Sequence, residues 1–292
     1  MRLTSTLAVA LGVALGGLVT TLALAPTAAA APTADEVLTI AHRGARHVAP
    51  ENTLIALEKA ANRGADFVEV DVQRSKDGRL VLMHDVSLRR TTNVEKVFPK
   101  RRSYDVVDFK WRDIKRLDAG RWKADKYVGE RIPTLKQALR LVQARDLGIL
   151  IEMKSPHRYP DVEADVADAL REVVDFIGPA IGEDQLRVQS FDYGAAQRFK
   201  AIEPRVPVAL LGTPTLDQLP DLSRWADEIS SRHKTVDAGY VAAVHSFGMQ
   251  SSVWTVDNLD NMNANLDKGV DAVITNRPTM LDRAILARSS DS

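Results

Sequence analysis

The feature that most constrains the fold of this 292-residue chain is a sustained alternation of short β-like runs with amphipathic stretches. The runs are Leu38 to Ala41, Phe67 to Val72, Ile149 to Met153, Leu186 to Ser190, Val206 to Leu211, Glu228 to Ser231, Ser251 to Val256 and Ala272 to Thr275. Helical stretches such as Thr53 to Asn62, Leu135 to Ala144, Val162 to Val174, Tyr193 to Ala201 and Asn258 to Lys268 separate them. Strands joined through helices run parallel, because the crossover returns the chain to the same edge. Eight such units predict an α/β fold, a closed (β/α)8 TIM barrel, with a doubly wound open sheet as the alternative. Glu228 to Ser231 is polar enough to read as loop, and the tail after Asp282 reads as a last helix.

Composition narrows the chemistry. There is no cysteine, which removes disulfides, thiolate nucleophiles and zinc-thiolate sites. Basic and acidic side chains balance at 39 each, which argues against a general nucleic-acid binder. Residues 1–31 read as an export signal: Arg2 opens it, Leu7 to Leu24 is apolar, and small residues before Ala31 offer cleavage near Ala30-Ala31. A secreted chain is expected; an uncleaved anchor is the alternative, and membrane association is expected only if the leader is retained. The rest, 32–292, reads as one barrel domain. Residues 86–129 are too many for a tight connection and read as a small insertion after the second strand that sits over the mouth and shapes the substrate pocket. Its basic cluster, Lys100 to Arg102, reads as a solvated face. The sequence leaves the oligomeric state open.

Function on a barrel sits at the carboxyl ends of the strands, and the polar residues gather there. His42 and Arg43 end the first strand, Glu69 and Asp71 the second, Glu152 and Lys154 the third, and Trp254 lies towards the end of the seventh. Glu69 and Asp71, two apart on a strand, point the same way with Cα atoms roughly 6 to 7 Å apart. Asp77-Gly78 signals a two-residue turn into an antiparallel strand at Leu80 to Met83, which places His84 opposite Asp71 and on its face. Three carboxylates from neighbouring strand ends suit one hard divalent cation, Ca²⁺ or Mg²⁺, better than zinc. The bland alternative is a buried charge network paired to Arg or Lys.

The ordered set His42-Arg43-Gly44, Pro50-Glu51-Asn52-Thr53, Glu69-Val70-Asp71, Asp77-Gly78 and His84-Asp85 resembles the signature of the glycerophosphodiester phosphodiesterases. Arg90-Thr91-Thr92-Asn93, Ile132-Pro133-Thr134-Leu135, Glu152-Met153-Lys154, Ser190-Phe191, Trp254-Thr255-Val256 and Gly269-Val270-Asp271 extend the likeness over roughly Thr39 to Pro278. The resemblance implies a TIM barrel that uses a divalent cation to cleave a small-molecule glycerophosphodiester into glycerol 3-phosphate and an alcohol. It also implies Glu69, Asp71 and Glu152 as metal ligands, His42 and His84 as the acid/base pair, and Arg43 and Lys154 as phosphate contacts. Glu51 and Trp254 are further substrate-binding candidates, each with a structural alternative as helix start and barrel packing. The family's similarity to phosphatidylinositol-cleaving phospholipases C implies attack by the substrate's own glycerol hydroxyl through a cyclic phosphate. Many members carry Asp where this chain has Asn276. Two rival expectations are a phospholipase D-like hydrolase of lysophospholipid or sphingomyelin, and a phosphate-ester binding protein without turnover.

Overall fold

The computed structural model describes residues 37–289; the expected leader, residues 1–31, lies outside the described residues. Among the described residues nine strands form one sheet: β1 (Leu38–Ala41), β2 (Phe67–Arg74), β3 (Leu80–Leu82), β4 (Gly148–Met153), β5 (Leu186–Ser190), β6 (Val208–Leu211), β7 (Glu228–Arg232), β8 (Gln250–Trp254) and β9 (Ala272–Thr275). All but β3 run parallel, and β1 pairs with both β2 and β9, which closes an eight-stranded barrel and removes the open-sheet alternative. Among the described residues no helix is long and apolar enough to cross a membrane.

The strands are buried on both faces. Val68, Val70, Val72, Ile149, Ile151 and Val188 face the helices, while Ile40, Phe67, Leu150, Ala272 and Ile274 fill the interior. β7 looks like a loop in the sequence because its interior positions are polar. Inside the barrel Glu228 pairs with Arg187 at 3.0 Å and accepts a bond from Ser252, and the Arg187 guanidinium lies over the Phe67 ring. A polar strand is stable there because its charge meets an opposite one.

The β2–β3 hairpin departs from the expected register. Val72 pairs with Leu82 and Arg74 with Leu80, so the loop is Lys76-Asp77-Gly78, three residues, with Gly78 in the left-handed region at φ 83°. The extra loop residue shifts pairing by one and sets Met83, not His84, against Asp71, whose carbonyl accepts the Met83 N–H at 2.9 Å. His84 therefore owes its position to something other than strand parity. The ladder ends there, and the carbonyls of Met83, His84 and Asp85 converge on the buried Gln73 amide at 2.9, 3.2 and 2.6 Å, with Tyr159 hydroxyl donating to Gln73 Oε1. Gln73 bends the chain back over the barrel mouth.

The segment following β3 packs its own apolar cluster, including Leu88, Val94, Phe109, Ile114 and Leu117, onto Val81 and Met83 of the hairpin. It carries the short helices Val94–Val97 and Trp111–Ile114. Of its expected basic face, Arg101 is not simply solvated: it pairs with Asp113 at 3.2 Å and lies over the Phe109 ring.

Candidate active site

The turn after β1 is built around two unusual backbones. Arg43 sits in the left-handed region at φ 54°, a conformation that costs a non-glycine residue roughly 1 to 2 kcal/mol. Its own bonds hold it there: the amide donates to Glu69 Oε2 at 2.8 Å, and Nη1 donates to Glu51 Oε1 at 2.9 Å. At Gly44, with φ 77°, a Cβ would stand 2.6 Å from the Ala56 carbonyl carbon, so only glycine lets the chain pass this close to the next helix.

Glu69, Asp71 and Glu152, all buried, each offer an oxygen within 4.8 Å of the others. β2 and β4 run in register with Asp71 beside Glu152, which is what brings the third carboxylate in from 81 residues downstream. Burial and then repulsion from Asp71 raise Glu69 well above the usual carboxylate range, and the same two causes push Glu152 up to about 7. Burial acts on Asp71 in the same direction, but Arg43 and Lys154 outweigh it and hold this carboxyl below its ordinary value. Lys154 Nζ donates to Glu152 Oε1 at 2.6 Å and lies 3.7 Å from Asp71 Oδ1. Arg43 Nε is 3.1 Å from Asp71 Oδ2 but out of line for a hydrogen bond, and Asp71 Oδ1 has no hydrogen-bond donor. A buried trio of hard oxygen donors, two of them pushed towards protonation and one with an orphaned oxygen, is short of positive charge and fits a divalent cation.

A cavity of about 150 Å³ opens over this trio, lined by His42, Arg43, Glu69, His84, Glu152, Lys154 and Trp254 among others. The fold thus gathers residues from four strand ends at one mouth. Glu51 is not among the lining residues. It is buried beside Arg43 and bound by Arg46 and by both Nη atoms of Arg90, an arrangement in which it supports the arginine that lines the cavity. No residue of 86–129 is among those lining this cavity; Arg90 of that segment forks onto Glu51 and onto Asp85, the latter at 2.6 and 2.9 Å.

Each of the two histidines lining the cavity has one ring nitrogen committed. His42 Nδ1 meets Asn276 Oδ1 at 2.8 Å; the Asn276 amide nitrogen and backbone N–H both donate to Asp257, at 2.6 and 2.8 Å. Because a carboxylate only accepts, the amide orientation is fixed, its oxygen faces His42, and Nδ1 carries the proton. Burial and the adjacent Arg43 charge lower His42 to about 4, which keeps it neutral. His84 Nδ1 lies 2.7 Å from Asp85 Oδ1. Burial lowers His84 too, opposed by the carboxylates of Asp71 and Asp85.

The sequence profile of the Glycerophosphoryl diester phosphodiesterase family matches residues 42–280. The chain belongs to that family. A glycerophosphodiester phosphodiesterase of Caldanaerobacter subterraneus subsp. tengcongensis is 34% identical over 250 residues, spanning 84% of this chain and 96% of that one. One from Bacillus subtilis is 33% identical over 263 residues, 85% of this chain and 86% of that protein. The structure of an Oleispira antarctica phosphodiesterase in complex with the product sn-glycerol-3-phosphate superposes with a TM-score of 0.75 at 27% identity, covering 87% of this chain and 99% of that one.

Within this phosphodiesterase fold several positioning residues escape a sequence reading. Asn52, which reads as the start of a helix, instead clasps Asp71: Nδ2 donates to Oδ2 at 2.7 Å and Oδ1 accepts the Asp71 N–H at 3.2 Å. Its left-handed backbone, φ 56°, is the conformation asparagine tolerates best after glycine. Gln73 and Asp257 act through partners 11 and 19 residues away, and neither lies in a motif that the sequence singles out. Phe191 is 53% exposed and meets Trp254 edge to face at 5.6 Å, forming an apolar wall beside Lys154. Trp254 Nε1 donates to the Ser230 carbonyl at 2.9 Å, so this ring is fixed by the barrel while its face serves the mouth.

Proposed function

We propose that the protein hydrolyses glycerophosphodiesters to glycerol 3-phosphate and an alcohol, with His42 as general base and His84 as general acid beside one divalent cation. The observation that carries this reading is the single cavity shared by both imidazoles, the Arg43 and Lys154 cations and two of the three clustered carboxylates. Family membership and the product named for the Oleispira antarctica structure support the substrate class.

The residues divide the work by chemistry. Arg43 presents a planar guanidinium to a phosphate oxygen and Lys154 a point charge, both already anchored to buried carboxylates. With Nδ1 protonated and bonded to a neutral amide, His42 offers a free Nε2 lone pair to take the proton of the substrate's glycerol hydroxyl. His84, whose partner is a carboxylate, is the better holder of a proton for the departing alcohol. Glu69, Asp71 and Glu152 would hold Ca²⁺ or Mg²⁺, which when bound offsets phosphate charge and lowers the pKa of a nearby hydroxyl. The expected check is release of glycerol 3-phosphate from glycerophosphocholine or glycerophosphoethanolamine in the presence of either cation. No release from a panel of glycerophosphodiesters would overturn the reading.

A second reading, hydrolysis of lysophospholipid by the same groups, draws on the exposed Phe191 against Trp254 at the mouth. Faster turnover of lysophosphatidylcholine than of glycerophosphocholine would favour it.

The Asn276 contact makes a separate prediction. Asn276→Asp places a carboxylate against His42 Nδ1, favours the imidazolium and raises the pKa of the base. Because the base works deprotonated, the acidic limb of the kcat/KM profile is expected to move to higher pH, by about a unit or more. An unmoved limb would remove His42 as the base.

A further inference from the structure

A cavity of about 730 Å³, separate from the catalytic one, lies between helix Leu259–Leu266, helix Pro278–Ser289 and the turn after β1. Its size is that of small-molecule sites, which run from about 300 to 1,000 Å³. The lining has two characters. Val48, Leu259 and Met280 give it an apolar wall, and Arg63, Arg277 and Arg283 converge on it without one carboxylate among the lining residues. Among the described residues these three guanidiniums form no ion pair, side-chain hydrogen bond or ring contact, whereas Arg288 on the same rim is paired with Asp267. Like charges around one concavity, with no counter-charge among its described lining residues, are complementary to an anion. The apolar wall beside them is complementary to an alkyl chain.

We propose that this cavity binds an anionic amphiphile, a molecule with one phosphate or carboxylate head and a single alkyl chain, held as a monomer. The head sits among Arg63, Arg277 and Arg283 and the chain along Val48, Leu259 and Met280. Asn276 lines the same cavity and holds His42 Nδ1, so the occupant touches the residue that orients that imidazole. Occupancy is therefore read in turnover as well as in binding. The proposal goes beyond the catalytic reading, and its binding test stands whether or not that reading holds.

The test is calorimetric titration of the full chain with dodecyl phosphate below its micelle concentration, with and without saturating glycerol 3-phosphate. The expected result is saturable one-to-one binding, unchanged by glycerol 3-phosphate and not reproduced by inorganic phosphate or by a neutral alkyl glucoside of equal chain length. The double variant Arg277→Glu/Arg283→Glu is expected to bind at least about tenfold more weakly, the scale of one lost charge-assisted contact, with turnover in the absence of amphiphile unchanged. Leu259→Glu, at a residue 49% exposed and so safe for folding, is expected to weaken binding as well and carries the test if the double variant does not fold. Absence of saturable binding, wild-type affinity in the folded variants, or competition by glycerol 3-phosphate would each overturn the proposal. So would binding to anionic vesicles with none to the monomer, since that would make the arginines a membrane-facing surface.

Discussion

His42→Ala and His84→Ala are each expected to lower kcat at least about 100-fold, the scale on which a positioned proton-transfer group contributes, with thermal melting close to that of the unchanged protein. The expectation follows from how each ring is held. One nitrogen of His42 is bound to Asn276 and one of His84 to Asp85, and both side chains line the cavity over the carboxylates. Neither is a core histidine whose loss would leave an apolar void; His84 is about a third exposed. A tenfold or smaller loss in either variant would take that residue out of the mechanism. KM is expected to change little, because the proposed phosphate contacts are Arg43 and Lys154, which both variants retain.

Glu69→Gln is expected to weaken Ca²⁺ or Mg²⁺ affinity at least about 100-fold, while stability without added metal stays level or rises. The two halves of this expectation share one cause. Without a cation, burial and then repulsion from Asp71 and Glu152 make the charged form of Glu69 costly, and glutamine removes that cost. Its main protein contact, the Arg43 amide, needs only an acceptor oxygen, which glutamine retains. If the carboxylate were there only to satisfy Arg43 and Lys154, the substitution would instead lower the melting temperature, as breaking a buried ion pair does, and leave metal titration as it was. Paired calorimetric and melting measurements separate these outcomes.

Much of this is written locally in the chain, and the remainder is not, for identifiable reasons. Strand periods and helix lengths expose the barrel because each βα unit carries its own pattern, and Glu69, Asp71 and Glu152 can be found because strand ends are where a barrel presents chemistry. β7 is hard to read because its Glu228 is satisfied by Arg187, 41 residues earlier, a pairing invisible to local hydropathy. The register of the β2–β3 hairpin depends on one loop residue, and Asp77-Gly78 is compatible with a two- or a three-residue turn, so sequence alone misassigns the partner of Asp71. His84 still reaches the mouth, through the bend that Gln73 imposes. Glu51 and Arg90 lie one layer behind the cavity, and motif spacing cannot separate that layer from the lining residues.

The central claim, that three carboxylates serve one cation on which turnover depends, is tested most directly by assaying glycerol 3-phosphate release after exhaustive chelation and again with Ca²⁺ or Mg²⁺ restored. The predicted result is activity lost on chelation and regained with at least one of the two ions. Undiminished turnover in the chelated protein would contradict it and return Glu69, Asp71 and Glu152 to the status of a buried charge cluster.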